Sequence, residues 1–167
     1  MRCGEGEGKR RMALEIHNMA GHLIRRLNQI SMSVFTERMK AHGQTMTSVQ
    51  FAALNAIRAQ PGIEQARLAE MIAYDRATIG GVLDRLETKG LILRSVCEKD
   101  RRARLVSLTR EGEVLLDELI PVVRHFQDEI LSGLSREERS EFLRLAAKAA
   151  EGGNHLSRAP LILDKKA

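Results

Sequence analysis

Between residues 63 and 109 the apolar pattern changes period, and that change fixes most of what this chain can fold into. Residues 63–74 form a short amphipathic helical stretch. Residues 75–90 form a second one, in which Ile79, Val82, Leu83 and Leu86 fall at i, i+3, i+4 and i+7 and so share one face. Asp75 opens this second stretch as a capping acid and Gly90 closes it. The pattern then becomes strand-like, with 91–96 and 103–108 flanking the polar tip 98–102. Two helices joined by a tight turn and followed by a hairpin make a winged helix-turn-helix. Its second helix is free to enter a groove of duplex DNA.

The flanking sequence is helical. Over 12–41, Ile16, Ala20, Leu23, Leu27, Ile30 and Val34 alternate four- and three-residue steps, the a/d pattern of a helix packed on partner helices. Gly43 ends it. Thr47 caps a helix over 48–59, and Pro61-Gly62 makes a turn. After the hairpin, Thr109 caps a helix of 110–132 in which Pro121 predicts a kink. Ser135 and Glu138 form a capping box for a last helix carrying Phe142, Leu145, Ala146 and Ala149, ended by Gly152-Gly153. The fold class is therefore mainly α with a small β-wing. Residues 1–11 form a glycine-rich, charged tail expected to be disordered. Residues 12–46 and 110–150 form a helical dimerisation region, 47–109 the winged helix-turn-helix, and 151–167 a flexible C-terminal tail.

Bulk properties narrow the class. A net charge of +5 suits a nucleic-acid partner, and its placement says more than its size. Arg94, Lys99, Arg101, Arg102 and Arg104 crowd the hairpin against only Glu98 and Asp100. Two cysteines, Cys3 and Cys97, make neither a disulfide framework nor a zinc site. No apolar run reaches the length of a membrane span and the N-terminus lacks a signal-peptide core, so the expected location is the cytoplasm, with no membrane partner.

Two motifs carry a family resemblance. The first is Leu83-Asp84-Arg85-Leu86-Glu87 with Lys89-Gly90-Leu91. The second is Asp100-Arg101-Arg102 followed by Val106-Ser107-Leu108-Thr109-Arg110-Glu111-Gly112. With the apolar first helix around 21–26, they resemble the MarR (multiple antibiotic resistance) family of bacterial transcription regulators over about residues 14–150. The resemblance implies a homodimer built from the first and last two helices of each subunit, with paired winged domains on pseudo-palindromic DNA. It also implies repression, relieved when a small molecule occupies a pocket between the dimer and DNA-binding regions.

Candidate contacts follow. Arg76 and Thr78, with Ala77 and Gly81 beside them, lie on the outer face of the reading helix, where side chains reach base edges. Gly80-Gly81 costs roughly 1–2 kcal/mol of helix propensity, and either close approach to DNA or tight helix packing compensates. On the wing, Arg102 matches the arginine of the family motif and is expected in the minor groove or on phosphate, oriented by Asp100. Lys99, Arg101 and Arg104 are expected phosphate neighbours, and Ser48, Gln50 and Arg67 are further candidates for holding the DNA backbone. His22 and Arg26, one helical turn apart, supply a donor and a cation for an anionic ligand, with Phe51 and Tyr74 as an apolar wall. Together with the resemblance, that pair points to a small aromatic carboxylate or phenolic effector.

Rival readings are a redox sensor through Cys97, beside Lys99 and Arg101, and an architectural DNA binder without a ligand. The five histidines are scattered, with no H-x-x-x-H pair, so no metal site is expected. No cofactor is expected either. The chain contains no P-loop, no Gly-x-Ser-x-Gly elbow and no placeable pair of catalytic carboxylates, so an enzyme is not expected.

Overall fold

The computed structural model describes residues 14–97 and 103–163. A 3-10 turn, Glu15–Asn18, leads into α1 (Ala20–Ala41), α2 (Ser48–Ala59), β1 (Ile63–Glu64), α3 (Gln65–Met71) and α4 (Ile79–Thr88). Then come β2 (Ile92–Val96), β3 (Arg104–Leu108), α5 (Arg110–His125), α6 (Gln127–Ile130), α7 (Arg136–Gly152) and a second 3-10 turn, Asn154–Leu156. The mainly α class with a small β-wing is what forms.

Local chemistry sets most of these boundaries. The Thr47 hydroxyl accepts from the Gln50 amide at 3.2 Å and the Gln50 side chain accepts from the Thr47 amide at 3.0 Å, a complete capping box for α2. Ser135 and Glu138 repeat the device for α7. Three helices end in the same way. At α1, α3 and α4 the residue after the cap has positive φ, and the next amide bonds back to the carbonyl five residues earlier: Gln44 to Met39, Tyr74 to Ala69 and Leu91 to Leu86. The positive-φ residue is Gly43, Ala73 and Gly90 respectively.

The winged domain closes on one apolar core. Leu54 and Ile57 of α2, Leu68 of α3, Ile79, Leu83 and Leu86 of α4, Ile92 of β2, Val106 of β3 and Leu116 of α5 are all fully buried. Phe35, near the end of α1, meets Phe126 edge-on at 5.7 Å and ties the long helix to this core. The first half of α1 and all of α7 contribute no buried side chain. Leu23, Ile24 and Ile30 of α1 and Leu143 and Leu145 of α7 are exposed. No helix among the described residues is long and apolar enough to cross a membrane.

Several expectations need correction. The helix expected over 12–41 is interrupted at Met19, whose backbone is extended, so α1 starts at Ala20. Asn18 and Gly21, which flank the break, are poor helix formers. Ile63 and Glu64 are not helical: they pair antiparallel with Val106 and Leu105, making the expected two-stranded wing a three-stranded sheet of order β1-β3-β2. The helix expected to reach 132 ends at His125, one turn after Pro121. Phe126 turns inward to complete the core before the short α6. The segment after Gly153, expected to be loose, is held as far as Ile162 by side-chain and backbone hydrogen bonds.

Candidate nucleic-acid interface

The second helix of the motif begins later than its sequence suggests. Residues 75–78 form a turn, and α4 starts at Ile79. Asp75 organises this turn and does not cap the helix. Its Oδ1 accepts from the Ala77 amide at 2.8 Å, and its carbonyl accepts from the Thr78 hydroxyl and from the Thr78 and Ile79 amides, each at 3.1 Å. This is the local bonding by which a short acid favours a turn over a helix. Arg76, Ala77 and Thr78 therefore stand on the lead-in to α4, and all three are exposed.

Arg76 is held by Glu70 of α3, which also receives Arg67 at 2.9 Å. The bond from Arg67, joined by that from Arg76, keeps the Glu70 carboxyl below its ordinary pKa. Two guanidinium groups thus share one carboxylate, and positive charge is left over on the outer face. Arg67 is mostly covered, whereas the Arg76 side chain stays 64% exposed.

Along α4 the buried face is Ile79, Val82, Leu83 and Leu86, and Gly81 lies on the exposed face. A Cβ on Gly81 would meet nothing within 4 Å, and one on Gly80 would meet only the Gln65 side chain at an ordinary 3.7 Å. Packing within this chain therefore does not require either glycine.

The wing is fastened to α4 by Arg94, which the sequence places only among the hairpin's cations. Arg94 of β2 donates from Nε to Glu87 Oε2 at 2.9 Å, a second bond runs from Nη2 to the same oxygen, and Nη2 also reaches Asp84 Oδ1 at 2.7 Å. The hydrogen bond from Arg94 holds the Glu87 carboxyl below its ordinary pKa, and Glu87 in turn raises that of Arg94. The available signal was a pair of acids one turn apart on α4, at i and i+3, with a lone arginine on the strand that follows. Arg104 is exposed at the tip end of the hairpin, where it pairs with Val96. Lys99, Asp100, Arg101 and Arg102 lie outside the described residues. Cys97 is a half-buried free thiol whose backbone amide bonds to the Ala103 carbonyl at 3.1 Å.

At the start of α2, Ser48 is exposed. Gln50 is 4% exposed and its side chain is committed to the capping box, so it does not reach outward as expected.

The four residues expected to hold an effector are spread out. His22 stacks on His17 at 5.4 Å, and desolvation together with Arg25, His17 and Arg26 lowers its pKa. Arg26 is exposed, and Phe51 lies against Phe35 at 6.1 Å beside the core. Tyr74 lines a cavity of about 380 Å³ with Glu70, Asp75, Arg76, Arg158 and Pro160. A larger, mostly apolar cavity of about 1020 Å³ lies between Ile24, Ala73, the end of α7 and Leu156 and Leu161. His22, Arg26 and Phe51 line neither cavity.

The MarR family model matches residues 46–103, from just before α2 to the wing. The transcriptional regulator HosA of Escherichia coli is 36% identical over 135 residues, 81% of this chain and 97% of HosA. The HTH-type transcriptional repressor NicR of Pseudomonas putida is 34% identical over 134 residues, 80% of this chain and 84% of NicR. Among solved structures, that of Bordetella bronchiseptica BpsR, described as a mechanism for regulation of DNA binding by 6-hydroxynicotinic acid, has a TM-score of 0.75 at 30% identity. It covers 83% of this chain and 97% of BpsR. With a winged helix-turn-helix in place and relatives this similar along most of their length, the chain belongs to the MarR family of transcriptional regulators.

Proposed function

We propose that the chain is a cytoplasmic repressor that binds a pseudo-palindromic operator as a homodimer and lets go when a small aromatic carboxylate or phenol binds. The observation that carries the reading is the lead-in to α4. Arg76 and Thr78 are exposed there, Gly81 offers a helix face clear of side chains, and Arg94 holds the wing alongside. A helix end presented in this way reads base edges, while cations around it take phosphates. Arg76 and Thr78 contact bases, Ala77 and Gly81 allow close approach, and Ser48, Arg67 and Arg104 hold the backbone. Lys99, Arg101 and Arg102 extend these contacts from the wing tip, with Asp100 orienting Arg102.

The exposed apolar residues of α1 and α7 support the homodimer, since burying such faces is the main drive for association. The effector class is supported by the 6-hydroxynicotinic acid described for BpsR, and the repressor role by the relative NicR, a repressor. His22 and Arg26 on α1 supply the polar contacts when two subunits meet, and Phe51 and Tyr74 the apolar wall. The test is a gel-shift titration on DNA flanking the gene, with and without 6-hydroxynicotinate and related aromatic acids. Arg76→Ala and Arg102→Ala are each expected to abolish most specific binding and leave the dimer intact. A monomer in solution, or binding unaltered by both substitutions, defeats the reading.

A further inference from the structure

Beyond α7 the chain turns back onto the helix-turn-helix and is fastened there at two points, with a clamp inside the segment itself. The Asn154 side chain clamps both backbone groups of Leu161, donating to its carbonyl at 2.9 Å and accepting from its amide at 2.8 Å. The Ile162 amide donates to the Glu70 carbonyl at 3.1 Å, in the last turn of α3. Between these points Arg158 reaches Asp75 Oδ2 at 2.9 Å, while the other oxygen of that carboxylate holds the Ala77 amide. Arg158, Arg76 and Ala77 line one cavity.

We propose that residues 154–163 are a strap belonging to the DNA-binding surface, and that Arg158 is a phosphate-contacting residue which the strap adds beside Arg76. The proposal rests on the operator-binding reading above. Asp75 is the difficulty at this surface, because a carboxylate on the lead-in repels the DNA backbone. Arg158 neutralises it. Of the guanidinium, only Nη2 has a partner among the described residues, and the side chain is 86% exposed, so its remaining donors are open to a phosphate oxygen. So exposed an ion pair adds little to folding stability, so tethering alone is a poor account of it. Around the lead-in, three cations (Arg67, Arg76 and Arg158) face two carboxylates (Glu70 and Asp75), and the excess is positive. HosA is covered over 97% of its length by 81% of this chain, so about a fifth of this chain lies outside that match.

The test uses the full chain, Arg158→Gln, Asp75→Asn and a truncation after Gly153, each titrated with duplex DNA flanking the gene over a range of salt concentrations. Each phosphate contact contributes about 0.9 to the slope of log affinity against log salt. Arg158→Gln is therefore expected to flatten the slope by roughly 1.8 for a homodimer, and to weaken binding about tenfold at moderate salt, with the thermal midpoint unchanged. Truncation should flatten the slope and weaken binding to the same extent, and Asp75→Asn should leave the slope as it is. Wild-type binding with Arg158→Gln matching it in slope and affinity overturns the proposal alone. So does tighter binding by Arg158→Gln or the truncated chain, which would mean that the strap covers the helix. Failure of the wild-type chain to bind any such duplex overturns the operator reading, and the strap proposal with it.

Discussion

Arg94 and Glu87 join the wing to the reading helix through two bonds to a single carboxylate oxygen, and Asp84 one turn earlier takes a further contact at 2.7 Å. The arginine side chain is three-quarters covered and its acids are more exposed, so the pair is better suited to fixing geometry than to supplying stability. β2 is an edge strand of the three-stranded sheet, paired among the described residues only with β3. Tied to α4, β2 is fixed relative to that helix.

This pairing gives a signed pH dependence. Glu87 has its pKa lowered in the folded chain by Arg94, and Glu70 by Arg67 and Arg76. A lowered carboxyl contributes stability that is fully present above the unfolded value of 4.5 and is lost as pH falls through the folded value. Denaturant midpoints should therefore be insensitive to these two groups from neutral pH down to about that value, and fall below it. Glu87→Gln combined with Glu70→Gln should flatten the acid limb. An acid limb of unchanged steepness in the double variant would show that other carboxyls carry it.

Gly112 shows why the segment after the wing needs glycine at that position. The Thr109 hydroxyl accepts from the Gly112 amide at 3.0 Å and donates to the Gly90 carbonyl at 2.7 Å, drawing the first turn of α5 against the end of α4. A Cβ on Gly112 would overlap the Leu91 carbonyl oxygen and come within 3.0 Å of its carbon. Both neighbours are backbone atoms, which do not rotate away. Gly112→Ala should cost about 2–3 kcal/mol in equilibrium unfolding at fixed dimer concentration. A loss under about 0.5 kcal/mol would mean that the backbone can yield at this junction.

What was legible in the sequence was bonding between near neighbours and strong periodicity. Thr47 as a helix cap and Ser135 with Glu138 as a capping box act on neighbours within three residues, and their geometry follows from spacing alone. The apolar face of α4 was equally plain. What was missed depends on partners far along the chain. Ile63 and Glu64 become a strand because Val106 and Leu105 offer a free edge some forty residues later, and two residues carry no period. Asp75 turned out to prefer its own Ala77 amide to capping a helix, a competition that composition does not decide. Arg94 and the strap residues Asn154 and Arg158 acquire roles only once α4 and the returning chain are in place, whereas Gln50, expected at DNA, is taken by its own capping box. The effector residues were chosen by chemistry without distance, and within one subunit they do not converge.

Ala73 occupies a position that Gly43 and Gly90 fill in the equivalent helix ends, with φ of 50° against 69° and 70°. It is the one residue other than glycine with positive φ among the described residues. The left-handed region costs an L-residue about 1–2 kcal/mol, set against the greater unfolded freedom of glycine. Ala73→Gly should therefore stabilise the chain by roughly 0.5–1 kcal/mol. Urea denaturation at matched concentration checks it, and a less stable variant would mean that the Ala73 methyl packs in the apolar cavity it lines strongly enough to offset the strain.

Gly81 offers the sharpest division between stability and function. Mid-helix glycine is worth about 0.5–1 kcal/mol less than alanine, because it surrenders more backbone freedom on folding. Nothing within 4 Å would oppose the added methyl. On folding grounds alone Gly81→Ala should raise stability by that amount. If the bare backbone at this turn exists to let α4 approach DNA, the same methyl should weaken operator binding, by tenfold or more, through a contact the free protein never makes. A retained circular dichroism spectrum, a raised denaturant midpoint and a reduced affinity, measured on one preparation, would separate the two effects. A variant that is both more stable and equally tight on DNA would remove close approach as the reason for the glycine, and leave Arg76 and Thr78 to carry the reading.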